Sequence, residues 1–314
     1  MRTIFSLILL LAIVPHVVSG AEEPVVLKTT GGSLHGTLTV PDKQAKGKPV
    51  VLIIAGSGPT DRNGNQPNLT NNAYKMLAES LEKEGIASLR FDKRGIGESG
   101  SSGLKESDLR FETYVEDVKQ WIALLSDDKR FGKVIVAGHS EGSTIGMLAA
   151  IGNEKVKGYV SIAGPARPAD EMIKEQLTAQ AQEIRDIVYP MLDTLKGGDT
   201  LTNVPQMLYS LFRPGVQPYM ISWFRYDPRV EIRKLKVPAL IVQGSTDIQV
   251  LEKDADMLAA AYPKATKKII QAMNHVLKDC VTTDKAAQVP IYSNPDLPIN
   301  KELVTTMVDF IRRI

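Results

Sequence analysis

The chain has 314 residues, of which 43% are hydrophobic and 24% are charged, and its formal net charge is +2. This is an ordinary globular composition without repeats or low-complexity tracts, and the length allows one large core or two smaller ones. The charged residues form no basic block or stripe, so no nucleic-acid partner and no anionic membrane surface is indicated.

The first residues have the order of a secretory signal. Arg2 precedes the apolar run 4–14, and small residues follow at 18–21, where a signal peptidase would cut. We therefore predict a signal peptide over residues 1–21 and an exported protein, periplasmic or secreted. The apolar run is short for a bilayer span, so no stable membrane anchor is expected after cleavage, and an uncleaved anchor is the alternative.

Short apolar runs then alternate with longer amphipathic stretches. The runs 25–29 and 34–40 predict a hairpin, because turn glycines separate them. The remaining expected elements are strands at 49–55, 87–91, 134–137, 158–163, 239–243 and 268–271, and helices at 72–84, 113–125, 169–195 with a break at Pro190, 250–261 and 302–314. This alternation predicts an α/β fold with a mostly parallel central sheet and helices on both faces.

The sequence Gly138-His139-Ser140-Glu141-Gly142 lies between an expected buried strand and an expected helix. A serine between two glycines on a tight strand-to-helix turn is the nucleophile-elbow arrangement. Glycine suits such a turn because a Cβ would clash with nearby backbone. We predict that Ser140 is a nucleophile at the carboxyl edge of the sheet, where open α/β sheets bind ligands. A plain turn with a capping serine is the alternative.

A serine hydroxyl needs a base that takes its proton and a third group that orients this base. His35 lies in the edge hairpin, and the side chain of His139 is expected to point away from the neighbouring Ser140. His275 follows the strand at 268–271 and is therefore the predicted base.

The predicted orienting acid is Asp247, which follows the strand at 239–243 in a Gly-Ser-Thr turn. Capping of the next helix is its alternative role, since Asp is favoured at N-caps. The chain order Ser140, Asp247, His275 is the order found in hydrolases with a nucleophile elbow.

Acyl chemistry also needs donors for the oxyanion. The backbone N–H of Glu141, just after the nucleophile and at a helix N-terminus, is the first predicted donor. We assign the second donor to the N–H of Ser57, in the loop 56–65 that follows the strand ending at Ala55.

Taken together, these segments resemble the α/β-hydrolases of the serine-aminopeptidase-like group, many of which are esterases. The matching segments follow the expected order over nearly the whole mature chain, at 55–61, 91–99, 138–142, 244–247 and 274–275. Many relatives begin the oxyanion loop with His-Gly, where this chain has Ala-Gly. The resemblance implies the α/β-hydrolase fold and a Ser-His-Asp triad.

Residues 165–236 interrupt the alternation, with helical patterns, no clear strand and an aromatic and methionine-rich segment at 207–226. A helical insertion between two sheet strands would return to the carboxyl edge and cover the active face as a cap. We expect a hydrolase core over 22–164 and 237–314, with the cap inserted at 165–236 before the strand that leads to the acid.

Residues 95–100 fit the G-x-G-x-x-G pattern of dinucleotide-binding turns, but a polar loop follows them rather than a helix. They match the Arg-Gly-x-Gly-x-Ser turn of hydrolases better. The sequence has no Walker loop, no H-E-x-x-H motif and no Cys/His cluster, and its only cysteine is Cys280. No cofactor, metal or internal disulfide is expected.

The predicted function is a serine hydrolase that cleaves small-molecule carboxylic esters through an acyl-enzyme. A serine aminopeptidase or amidase with the same triad is one alternative, in which Glu141, Glu171 or Glu175 would bind the free amine of the substrate. A hydrolase-fold binding protein without turnover is the other.

Overall fold

The computed structural model describes residues 21–42, 46–100, 102 and 104–314. The signal peptide expected over residues 1–21 therefore lies outside the described residues, apart from Ala21 at the start of the first strand. No helix in these described ranges is long and apolar enough to cross a membrane.

A central sheet of eight strands organises the molecule, and every strand expected from the sequence overlaps one of them. They are β1 (Ala21–Thr29), β2 (Gly32–Val40), β3 (Lys48–Ile54), β4 (Ala87–Phe91), β5 (Phe131–His139), β6 (Val156–Ile162), β7 (Ala239–Gly244) and β8 (Thr266–Ile270). Their spatial order is β1-β2-β4-β3-β5-β6-β7-β8. The pairs β1/β2 and β2/β4 are antiparallel, and all the other pairs are parallel.

Eleven α-helices lie along the described part of the chain. They are α1 (Ala73–Lys83), α2 (Phe111–Asp127), α3 (Glu141–Ala150), α4 (Ala169–Gln176), α5 (Gln182–Gly197), α6 (Tyr209–Phe212), α7 (Gln217–Trp223), α8 (Pro228–Glu231), α9 (Glu252–Ala261), α10 (Lys285–Tyr292) and α11 (Lys301–Arg313). The sequence pattern does not predict α10, because Pro290 interrupts an already short apolar pattern. Asp284 begins this helix by accepting a hydrogen bond from the amide of Ala287 at 2.8 Å.

Helices cover both faces of the sheet, as expected. Successive residues of β3 alternate between two hydrophobic clusters: Leu52 packs in the cluster that contains helices α2, α3 and α9. Val51 and Ile53 pack in the cluster that contains α1 and α11. Because side chains alternate across a strand, a run that is apolar at every position fits a sheet covered on both sides. The α/β-hydrolase architecture predicted from the sequence is confirmed.

The stretch 165–236 contains α4 to α8 and no strand, and it lies between β6 and β7. These helices bury a small apolar cluster of their own, which includes Leu192, Phe212 and Phe224. The expected break at Pro190 was wrong: the chain turns at 177–181, and Pro190 lies inside α5. Proline frees only the carbonyl four residues earlier, and Asp186 is exposed, so that carbonyl can bond to water.

Candidate active site

Ser140 occupies a strained turn between β5 and α3. Its φ of 53° and ψ of −124° lie outside the usual regions for a residue with a side chain. A Cβ at Gly138 would come within 2.1 Å of the Gly142 carbonyl oxygen, and one at Gly142 within 2.5 Å of the Ile54 carbonyl oxygen. Glycine is therefore required on both sides of the serine, and the turn holds Ser140 at the carboxyl end of the sheet.

Asp247 and His275 form a buried pair at the same sheet edge. The carboxylate Oδ2 of Asp247 lies 2.8 Å from Nδ1 of His275, and the two residues are 4% and 6% exposed. Asp247 Oδ1 also accepts hydrogen bonds from the amides of Gln249 (2.8 Å) and Val250 (3.0 Å), and Gln243 Nε2 donates to Oδ2 at 3.0 Å. Because His275 donates its Nδ1 proton in a hydrogen bond to Asp247, the neutral imidazole presents Nε2 as an acceptor.

The hydrogen bonds around Asp247 keep it ionised. Burial alone would raise the pKa of this carboxyl, but the electrostatic interaction with His275, its hydrogen bond and the amides of Val250 and Gln249 outweigh burial and leave the pKa below its usual range. Asp247 can therefore orient the imidazole and stabilise a positive charge on it.

Ser140 and His275 line the same cavity, together with Ser57. Within the described part of the chain, no hydrogen bond joins the Ser140 hydroxyl to the imidazole. The structure thus brings Asp247 and His275 into contact and sets Ser140 on the same cavity wall. In the absence of substrate such hydrogen bonds are often long and tighten when the substrate binds.

The two proposed oxyanion donors come from adjacent segments. The N–H of Glu141 is the first amide of α3, which has no acceptor within its own helix. The loop that carries Ser57 passes close to the elbow, since a Cβ at Gly56 would lie 3.2 Å from the Cβ of Ser140. A negative charge that develops beside Ser140 would also meet the positive end of the α3 dipole.

Lys93 ties these two segments together, and the sequence analysis did not single it out. Its ammonium donates to the carbonyl oxygen of Gly56 at 2.6 Å and to the carboxylate of Glu141 at 2.9 Å, and Lys93 is 3% exposed. Tyr219 from the cap donates to the other oxygen of Glu141 at 2.6 Å. The Gly56 carbonyl belongs to the peptide whose N–H is that of Ser57. In a trans peptide the two groups point in opposite directions, so Lys93 fixes the direction of the Ser57 N–H.

A second chain of hydrogen bonds passes beneath the site through His139. The amide of Gly56 donates to the Tyr74 hydroxyl at 3.1 Å, and this hydroxyl lies 2.8 Å from Nδ1 of His139. His139 Nε2 lies 2.8 Å from the backbone carbonyl oxygen of His275. A carbonyl only accepts, so His139 carries its proton on Nε2 and accepts from Tyr74 at Nδ1.

His139 is therefore a structural link and not a base. Burial, followed by the nearby His275, lowers the pKa of His139 to about 3, which keeps it neutral. Its ring packs against that of His275 with centroids 4.6 Å apart. No local pattern predicts a role for His139, but in the structure it joins the Gly56 loop to the His275 loop.

The glycine-rich turn at 95–100 wraps a protein carboxylate. The amides of Arg62 (2.7 Å) and Glu98 (3.0 Å) donate to Asp92, and a Cβ at Gly97 would lie 2.5 Å from its Oδ2. The turn is thus filled by Asp92 and offers no cradle for a phosphate. Within the ranges that the structure describes, no cluster of three or more His, Cys, Asp or Glu residues could hold a metal ion.

Several known proteins are similar to this chain in sequence. A family model described as serine aminopeptidase, S33, matches residues 69–211. Esterase EstD of Thermotoga maritima is 30% identical over 234 residues, which are 73% of this chain and 53% of that protein. Monoglyceride lipase of Rattus norvegicus is 24% identical over 243 residues, 74% of this chain and 77% of that protein. The chain thus spans about half the length of the Thermotoga esterase.

Solved structures agree on the fold. Est1E from Butyrivibrio proteoclasticus, solved with ferulic acid, has a TM-score of 0.61 at 16% identity, over 92% of this chain and 99% of that one. The Pyrococcus furiosus esterase Pf2001 has a TM-score of 0.58 at 17% identity, over 96% and 95% of the two chains. The fold and the elbow define an α/β-hydrolase. Residues 69–211 are similar to the serine aminopeptidase, S33, family, and the chain is also similar in sequence to an esterase.

Proposed function

We propose that this protein is a serine hydrolase that cleaves carboxylic esters. The observation that carries the proposal is the buried hydrogen bond between Asp247 and His275 at 2.8 Å, on a cavity wall that also carries Ser140 at its strained elbow. The names of the two relatives, an esterase and a monoglyceride lipase, support ester substrates.

The mechanism follows from the roles that these groups can take. The Ser140 hydroxyl attacks the ester carbonyl while Nε2 of His275 takes its proton, and Asp247 stabilises the resulting imidazolium. The amides of Ser57 and Glu141 hold the oxyanion, each such donor being worth about 3–4 kcal/mol in the transition state. His275 then gives the proton to the departing alcohol, and a water activated by the same imidazole releases the acid.

The carboxylates near the site favour an ester over a peptide with a free amine. An aminopeptidase needs a negative group for the substrate's ammonium, but Glu141 is already paired with Lys93. Glu175 is paired with Arg167 and Lys253. Both charges are thus neutralised by the protein itself, and binding an ammonium there would require breaking an existing ion pair. Glu171, the third candidate, is exposed and lines neither cavity at Ser140.

The first test combines turnover with active-site labelling. We expect wild-type protein to hydrolyse p-nitrophenyl butyrate and to be labelled by a fluorophosphonate probe at Ser140. The variant Ser140→Ala should lose both, with a fall in kcat on the order of 10⁶-fold. Ser107→Ala, at an exposed serine far along the chain from the elbow, serves as the matched control and should retain both. A Ser140→Ala protein that turned over as fast as wild type would overturn the mechanism, and a wild type without labelling or turnover would favour a binding protein.

Export is part of the same proposal. Its support is the order of charged, apolar and small residues over positions 1–21. We expect expression in a bacterial host to give a periplasmic or secreted protein whose N-terminus is Ala21 or Glu22. Fractionation followed by N-terminal sequencing checks this, and a membrane-bound protein with an intact Met1 would contradict it.

A further inference from the structure

Two cavities meet at the candidate nucleophile. The narrow cavity, about 230 Å³, lies between the loop 56–74 and the residues around His275. The wide cavity, about 830 Å³, lies between the sheet edge and the helices of residues 165–236. Ser57, Ser140 and Gln249 line both cavities, so a carbonyl held at Ser140 has one substituent on each side.

The position of His275 decides which part of an ester enters which cavity. His275 lines the narrow cavity and not the wide one. The group that donates a proton to the departing alcohol must lie within hydrogen-bond reach of the alcohol oxygen. The alcohol portion therefore extends into the narrow cavity, and the acyl chain extends into the wide one.

The narrow cavity has the chemistry of a site for a small, neutral, polar group. Its wall carries hydroxyl and amide side chains from Thr60, Gln66, Asn71, Gln249 and Tyr292. Among the described residues that line it there is no Asp, Glu, Lys or Arg. Such a wall can bond to alcohol hydroxyls, but it offers no charged partner.

The wide cavity has the chemistry of a site for an apolar chain. Its apolar wall comes mainly from the inserted helices and from the loops beneath them, and includes Met172, Ile173, Leu211, Val216, Met220 and Trp223. A volume of about 830 Å³ lies within the range of pockets that enclose whole organic ligands.

The charged groups of the wide cavity are all paired within the protein. Arg94 is held by Asp117, Arg167 by Asp254, and Arg213 by Glu106. Lys93 and Glu141 neutralise each other. Among the described residues that line this cavity, no charge is left over for an ionised acyl group, so an apolar one fits best.

We propose that the preferred substrates are esters of a small, neutral, polar alcohol with a bulky apolar carboxylic acid, with the acyl chain in the wide cavity. This inference rests on the proposed ester hydrolysis and adds the direction in which the ester binds.

Two isomeric esters test the direction without any mutation. Methyl octanoate and heptyl acetate have the same atoms and differ only in the side of the ester that carries the long chain. Apolar burial of several methylenes favours methyl octanoate, with a kcat/KM about 100-fold higher. Equal rates, or faster hydrolysis of heptyl acetate, would overturn the assignment.

A second pair of esters tests the polar wall of the narrow cavity. We expect a higher kcat/KM for 1-glyceryl octanoate than for propyl octanoate, and the reverse preference would overturn that part.

A matched pair of substitutions locates the two sites. Leu211 lines only the wide cavity and Leu69 only the narrow one, and both are half-buried. Leu211→Trp should reduce kcat/KM for methyl octanoate at least about 10-fold while methyl acetate is spared. Leu69→Trp should instead lower kcat/KM for 1-glyceryl octanoate relative to methyl octanoate. The opposite pattern would overturn the assignment.

The outcomes separate this inference from the function on which it rests. If Ser140 is labelled and esters are hydrolysed, but heptyl acetate is preferred, only the direction is wrong. If no ester is hydrolysed and Ser140 is not labelled, the proposed function itself fails. Should a tryptophan variant not fold, as judged by circular dichroism, the isomer comparison on wild-type protein still decides the direction.

Discussion

The residues around Ser140 and the helices of the cap at 165–236 are held in place by different means. At the elbow, backbone approaches backbone so closely that a single Cβ at Gly138 would overlap a carbonyl oxygen at 2.1 Å. Asp247 is fixed by four hydrogen-bond donors, counting His275. The cap instead packs on its own apolar cluster, and aromatic side chains dock it on α2, with Phe111 and Trp223 stacked at 5.7 Å.

This difference separates the residues expected to set the catalytic rate from those expected to set substrate preference. Positions fixed by close backbone contact and buried hydrogen bonds tolerate almost no replacement, whereas apolar packing accepts many side chains of suitable volume. Substitutions at the sheet edge should therefore act on kcat, and substitutions in the cap should act on KM and on substrate preference. The hydrogen bond from Tyr219 to Glu141 crosses between the two regions at the elbow.

The largest effect after loss of the nucleophile is expected at Asp247. Asp247→Asn removes the negative charge that stabilises the imidazolium and the acceptor that fixes its tautomer, so kcat should fall by about 10⁴-fold with KM little changed. Steady-state kinetics on p-nitrophenyl butyrate measure this. Asp256→Asn, on the exposed side of α9, is the control and should behave like wild type. Near-normal kcat in Asp247→Asn would reduce this residue to ordering the turn at Gln249 and Val250.

Lys93 should come next, because its hydrogen bond to the Gly56 carbonyl would position the proposed oxyanion donor at Ser57. Lys93→Met frees the Gly56–Ser57 peptide and should lower kcat by about 10- to 100-fold at nearly constant KM. It also leaves the Glu141 carboxylate buried without its cation, which costs about 3–5 kcal/mol of stability.

A double variant separates the two effects of Lys93. Adding Glu141→Gln to Lys93→Met removes the stranded charge and leaves the backbone amide of residue 141 in place. We expect the free energy of unfolding to recover while kcat stays low. If kcat recovers together with stability, Lys93 has a purely structural role.

What the sequence could and could not predict follows the same division. The sequence could predict that Ser140, Asp247 and His275 lie at one sheet edge, because each follows a buried strand and parallel strands bring their carboxyl ends together. Lys93 and Tyr74 were missed because their partners lie 48 and 65 residues away, in contacts that no local pattern encodes. The chain turn at 177–181 was missed because tertiary packing of α4 against α5, and not Pro190, sets where the helix ends.

A smaller effect on stability is expected from His139. Its pKa of about 3 lies below the value near 6.5 of an unfolded chain, so below pH 6.5 the unfolded state binds more protons. The stability that His139 contributes is therefore fully present above pH 6.5 and is lost as the pH falls toward 3, by up to about 1.4 kcal/mol per pH unit. Urea unfolding between pH 7 and pH 4 measures this slope. His139→Gln should flatten it, and an unchanged slope would mean that other groups cause the acid sensitivity.

The smallest effect is expected where the two regions touch. Tyr219→Phe keeps the ring that packs on Phe111 and Tyr114 but removes the hydroxyl that donates to Glu141. A hydrogen bond to a charged group contributes about 1.5–3 kcal/mol, yet Lys93 remains as a partner for this carboxylate. The change should therefore alter kcat only a few-fold, while KM for long-chain esters shifts more because the ring, which lines the wide cavity, loses the hydrogen bond that holds it in place. A loss of kcat as large as that of Lys93→Met, with KM constant, would show that the cap helps to set the oxyanion geometry, and the division between chemistry and specificity would then fail at this residue.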